Sequence, residues 1–169
     1  MISFHSYLSN RITSSDEKPV TIVDWNAVNG LIAYGQTNGG VTISRVSDNK
    51  DQPGLYKITN ITSLTTHKHE ITALCWNSRF NRLITGDRSG LSVVWVERDS
   101  KWFPTILSSA TGSAVTSIGT SYTGEFTAIT YENGQISCGD LGSNQKWVSK
   151  YEGTPKRAFW SGSGNTLHL

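Results

Sequence analysis

An all-β fold made of repeated four-stranded units is predicted by three observations. Strand-like stretches at residues 20–26, 71–77 and 157–161 each alternate apolar and polar residues and end in Trp followed by Asn or Ser. A further copy at 115–121 keeps the register with Thr120 in place of the Trp. The landmarks Trp25, Trp76, Thr120 and Trp160 are separated by 51, 44 and 40 residues, and shorter alternating runs with turn residues between them fill each interval. Four short strands recurring about every 40–45 residues are the sequence sign of a β-propeller blade.

The first unit, residues 20–66, predicts strands at 20–25, 31–35, 41–46 and 58–65. Asn38-Gly39 lies between the second and third, where a pair of residues tolerant of positive φ makes a tight hairpin. A polar insertion at 47–54 lengthens this unit and reads as a surface loop. The second unit, 67–110, predicts strands at 71–76, 83–86, 91–96 and 102–107. The third, 111–152, predicts 115–120, 126–131, 135–140 and 145–150, with a hairpin at Asn133-Gly134. A fourth, 153–169, begins with a strand at 157–160 and stops within its expected second strand. That incomplete unit would leave an unpaired sheet edge, so the sequence is expected to be the start of a longer ring, of which it holds about three and a half blades. An N-terminal strand at 2–8, with 1–8 as the closing segment, is expected to complete the last blade.

Composition narrows the function classes. The chain has 169 residues, enough for a real core. Fifteen basic and 13 acidic side chains leave a net charge of only +2, which gives no reason to expect nucleic acid. The cysteines, Cys75 and Cys138, fall in strands of different units and are expected to be buried free thiols of a reducing compartment. Neither a signal peptide nor an apolar run of spanning length is evident, so a soluble intracellular protein is expected.

The second unit resembles the WD-repeat family. That family places a His before the first strand and a Trp at the end of the third; here His67 stands four residues before Ile71, and Trp95 ends the third strand. The resemblance implies a structural network in which the His bonds to a turn Asp and a strand hydroxyl, with Thr85 as the hydroxyl and Trp95 completing the set. Counted back from Trp95, the turn position is Ser89 and not Asp, and Val96 replaces the Asp that follows the Trp. In the other units Arg45 and Gly139 stand at the Trp position, so the network is expected in one blade only.

A closer resemblance runs along nearly the whole chain. It is carried by Tyr7-Leu8-Ser9-Asn10-Arg11-Ile12, the Trp-Asn strand ends, Gly90-Leu91-Ser92-Val93-Val94-Trp95 with Lys101-Trp102, and Tyr131-Glu132-Asn133-Gly134 with Lys146-Trp147. These residues are similar to the N-terminal propeller of a WD-repeat subunit of intraflagellar transport complex A. The resemblance implies a non-catalytic scaffold in a hetero-oligomeric assembly, active in retrograde ciliary transport and ciliary entry of membrane proteins. Its partners would be other complex A subunits and ciliary cargo, at the cilium, ciliary base and cytoplasm. A tubby-like protein with a WD-repeat front end shares similar motifs, and the alternative is a substrate adaptor of that or the ubiquitin-ligase type.

Little catalytic chemistry is visible. His67-x-His69 lacks the Cys or acidic pair that would complete a zinc set, no nucleophile elbow or phosphate-cradling loop occurs, and no cofactor is expected. Asp87 and Asp140 read as solvated turn residues. Trp25, Trp76 and Trp160 are expected to pack between blades, whereas Trp102 and Trp147, on outer strands, are candidates for partner contact. Arg79, Arg82 and Arg88, with Lys68 and His69, are expected to form a basic docking patch for an acidic partner or for lipid headgroups at a peripheral membrane contact.

Overall fold

In the computed structural model, residues 18–48, 50, 56–109, 111–141, 146–164 and 166–169 are described. The expected strand at 2–8 lies outside them, as does most of the insertion at 47–54. The described residues form β-strands and turns without a helix. Sheet one is β1 (Val20–Asn26), β2 (Leu31–Gln36), β3 (Val41–Asp48) and β4 (Tyr56–Leu64), in that order. Sheet two is β5 (Ile71–Asn77), β6 (Arg82–Asp87), β7 (Ser92–Arg98) and β8 (Lys101–Ser108). Sheet three is β9 (Val115–Thr120), β10 (Phe126–Tyr131), β11 (Gln135–Asp140) and β12 (Lys146–Lys150). A two-stranded sheet, β13 (Phe159–Trp160) with β14 (Leu167–His168), follows. All pairs are antiparallel neighbours in sequence, the arrangement of WD-repeat-type propeller blades, with no ring closed among the described residues.

The alternation read from sequence sets which faces meet. Leu31, Ala33, Val41, Ile43 and Leu64 of sheet one pack on Ile71, Leu74, Trp76, Leu83, Val93 and Trp95 of sheet two. The opposite face of sheet two offers Ala73, Ile84 and Val94 to Val115, Ile118, Ile129 and Tyr131 of sheet three. Gly86 makes the second junction possible: a Cβ there would come within 2.6 Å of the Val115 side chain.

Polar bonds repeat at each of these joints. The Thr21 hydroxyl donates to the Ile71 carbonyl at 2.6 Å, and Thr72 donates to the Val115 carbonyl at 2.6 Å. Asn26 and Asn77, the residues after the signature Trp, are both fully enclosed. Each accepts an N–H of its own turn, from Asn29 and Phe80 respectively, and its amide donates onward to the next sheet, at Asn81 Oδ1 and the Gly124 carbonyl. The Trp-Asn signature is therefore partly a joint between blades.

Two local expectations are corrected. The Asn-Gly hairpins are not two-residue turns with both φ angles positive. Only the glycines, Gly39 and Gly134, are left-handed (φ +85° and +86°), and each donates its N–H back three residues, to Gln36 and Tyr131. The Asn38 and Asn133 side chains instead accept the N–H two residues on, which favours the ordinary turn conformation. The two-residue hairpin with positive φ at both positions is Asp99-Ser100, between β7 and β8, where no glycine advertises it.

Register also moves the Trp position of sheet one. Trp95 pairs with Leu83, which pairs with Trp76; in sheet one Trp25 pairs with Ile32, and Ile32 with Ser44. Ser44, not Arg45, is therefore the counterpart of Trp95. It is fully buried and donates to Asn60 Oδ1 at 2.7 Å.

Candidate functional site

Among the described residues, a buried polar cluster is centred on His67. The loop after β4 carries it across the end of sheet two, where it is buried. Its Nδ1 lies 2.8 Å from Asp87 Oδ2 and its Nε2 2.7 Å from Thr85 Oγ1, which also accepts the Trp95 indole N–H at 2.9 Å. With Nδ1 protonated, every contact is a proper donor–acceptor pair. Asp87 Oδ1 accepts Ser89 N–H, the Ser89 hydroxyl and Leu91 N–H, at 2.8, 2.6 and 3.1 Å. Asp87 is thus not the solvated turn residue expected from sequence; its exposure is 0%. It is the turn carboxylate of the network, missed because counting back from Trp95 lands on Ser89, whose side chain caps that same carboxylate. An Asp–His–Thr line resembles a nucleophile with its base, but all three groups are enclosed, and no substrate atom can reach the Thr85 hydroxyl.

Burial holds the His67 pKa below its ordinary value of 6.5, although Asp87 pulls it upward. Neutral His67 therefore supports the fold fully above about pH 6.5, and that support is lost as pH falls through the lower folded-state value. Denaturant titrations between pH 7.5 and 5 are expected to show a steeper fall in stability for the native chain than for His67→Asn. Equal slopes would mean that His67 takes up its proton as easily folded as unfolded.

The basic candidates do not form one patch. Lys68, His69 and Arg88 sit at the end of sheet two that carries the β6–β7 turn, whereas Arg79 and Arg82 flank the β5–β6 turn at the opposite end. Lys68 and His69 are exposed. Arg88 is held by Glu70 through Nε and Nη2, so its charge is already met. Arg82 is half-buried, with its guanidinium 5.5 Å from the ring centre of the exposed Phe80. The linear cluster was misleading because β6 places a full strand length between Arg82 and Arg88.

The tryptophans divide differently than expected. Trp76 is buried against sheet one, but its counterpart Trp25 is 58% exposed, since β1 has no preceding sheet among the described residues. Trp160 is half-buried and donates to the Gly119 carbonyl. Trp102, expected to face outward, is turned in, edge-on to Trp76 with 5.7 Å between ring centres. Trp147 remains 55% exposed beside Phe126. Cys75 and Cys138 are free and half-buried instead of fully enclosed. Burial pushes the Cys75 thiol up to about 11, with Asp24 adding to the effect, and raises Cys138 as well. Neither is thereby a ready nucleophile. No group of three or more His, Cys, Asp or Glu side chains suited to a metal occurs among the described residues, and no helix there is long and apolar enough to cross a membrane.

Sheets of this order, with one complete His–Asp–Thr–Trp network, define blades of the WD-repeat type. The chain is similar to WD repeat-containing protein 35 of human, mouse and rat, at 26% identity over 168 residues, or 95% of this chain and 14% of each relative. It is also similar to human tubby-related protein 4, at 26% identity over 139 residues, 81% of this chain and 9% of the relative. The chain therefore spans a small part of the length of these proteins. No family model matches it.

Proposed function

We propose that the chain supplies blades to the propeller of a non-catalytic scaffold subunit of intraflagellar transport complex A. In this role it serves retrograde transport and the ciliary entry of membrane proteins. The observation carrying this reading is the similarity to WD repeat-containing protein 35 across 95% of the chain. A ring of sheets locked by buried polar joints is a rigid carrier for turns, and binding residues on a rigid scaffold belong in those turns. Other complex A subunits and ciliary cargo are the proposed partners, at the cilium, its base and the cytoplasm. Lys68, His69, Arg82 and Arg88 remain the proposed contacts, with Arg82 and Arg88 now serving opposite ends and exposed Lys68 and His69 the better placed for lipid headgroups; Trp102, packed on Trp76, is withdrawn from the set.

The full-length protein should co-purify with complex A subunits from ciliated cells, and its loss should stall retrograde transport. In that assay Arg82→Glu and Arg88→Glu are expected to affect different contacts, each shifting stability by about 1 kcal/mol or less, since Arg88→Glu loses a solvent-exposed pair with Glu70 and Arg82→Glu a contact with the exposed Phe80 ring. A protein that never associates with complex A, in cells whose transport continues without it, would overturn the assignment. The similarity to tubby-related protein 4 then favours a substrate adaptor, which recovery of a ubiquitin ligase in the same purification would reveal.

A further inference from the structure

Each four-stranded sheet ends in an outer strand with no further neighbour among the described residues, and the three edges are not equivalent. The Val46 N–H donates to the Gly30 carbonyl at 2.8 Å, so Val46 directs its main chain toward β2. Its partner on β4, Ile58, consequently points N–H and C=O away from β3, as does Asn60 opposite Ser44. Lys57 and Thr59 between them face the ladder. The same alternation puts Pro104, opposite Trp95, and Lys146, opposite Gly139, at the outward position that Asn60 occupies in sheet one. Proline has no N–H to offer, and lysine is a common guard on edge strands. Sheet one has neither at this position, and Lys57 is the sole charged residue of β4.

We infer that the β4 edge at residues 57–60 accepts an extended segment of a partner protein, which adds a fifth strand to sheet one through the Ile58 and Asn60 main chain. Strand addition takes its affinity from main-chain bonds and its selectivity from alternating side chains. Lys57 is exposed and has no carboxylate within ion-pair distance among the described residues. It therefore favours a segment that carries an acidic residue. The register shift at Ile43/Ser44 leaves Ile61 as an extra residue on β4, and the bulge ends the flat stretch there. This inference rests on sheet geometry and is independent of the transport assignment.

The probe is a synthetic peptide, Thr-Val-Glu-Val-Thr-Val-Thr, together with a version N-methylated at alternate amides, titrated onto the full chain. On saturation with the first peptide, amide exchange should slow at Ile58 and Asn60 and stay unchanged at Lys57 and Thr59, which are already in the ladder. Ile58→Pro removes an outward N–H without touching a ladder bond and should weaken binding about fivefold to tenfold relative to Ile58→Ala, the loss of one main-chain hydrogen bond. The peptide N-methylated on its pairing edge should bind far more weakly to the native chain, since several donors are lost together. Absence of binding, equal binding of both peptides, or unchanged exchange at Ile58 and Asn60 would each overturn the inference. The exchange measurement needs no variant, so it decides the matter even if Ile58→Pro fails to fold. A dimer of the native chain that Ile58→Pro converts to monomer would assign the edge to a second copy instead.

Discussion

Replacing Asp87 by Ala is expected to lower the unfolding free energy of the chain by about 2–4 kcal/mol, because it leaves several buried donors, the Nδ1–H of neutral His67 among them, without an acceptor. The carboxylate serves two groups of contacts. Oδ2 fixes His67, and Oδ1 gathers Ser89 and Leu91 into the β6–β7 turn. Without it, His67 Nδ1 and the turn N–H groups lose their acceptor, and each buried orphan adds about 1–3 kcal/mol. Chemical denaturation of Asp87→Ala and Asp87→Asn beside the native chain checks this. The amide can still accept from the turn, so Asp87→Asn should fall between the other two. A loss below 1 kcal/mol for the alanine variant would show that the network is dispensable.

Gly39→Ala should cost about 2–4 kcal/mol, for two reasons that act together. Its φ of +85° is unfavourable for a residue with a Cβ. That Cβ would also stand 2.7 Å from the His67 carbonyl oxygen and 2.8 Å from that of His69. Both obstacles are main chain, so no rotamer change relieves them. The loop that must yield is the one delivering His67, so the damage should reach the buried network. A drop in thermal midpoint with the His67 ring signal shifted in NMR spectra is the expected pattern. A stable variant with His67 undisturbed would mean that the loop can lift away freely.

Much of the architecture was legible because it rests on alternation and spacing, which survive sequence divergence. The twelve strands of the three full sheets fall within a few residues of their expected positions. What escaped was set by pairing between strands. Arg45 looked like the counterpart of Trp95 by linear count, and only the β2–β3 register identifies Ser44. Asp87 was hidden in the same way, because the turn that presents it cannot be measured from Trp95 alone. The partition of the basic residues needed the direction of β6, and the exposure of Trp25 depends on which sheets flank β1. The Asn of the Trp-Asn pair was visible as a signature. Its purpose became clear only once its amide was seen to reach the following turn.

The Thr21 and Thr72 joints have a consequence for symmetry. Two joints of the same construction, each a hydroxyl on the next sheet's carbonyl beside a glycine that admits the next strand, favour a similar rotation between successive sheets. Repeating one such step sweeps out a circle, and the circle closes only when a whole number of steps makes a full turn. At the third joint the parts change: Thr130 occupies the position of Gly86, Thr116 bonds to Thr130 within its own sheet at 2.8 Å, and the next strand is held by Ser117 and by Trp160. A joint of different construction can take a different angle, which lets a ring of unequal blades absorb its closure error at one place instead of spreading it over all.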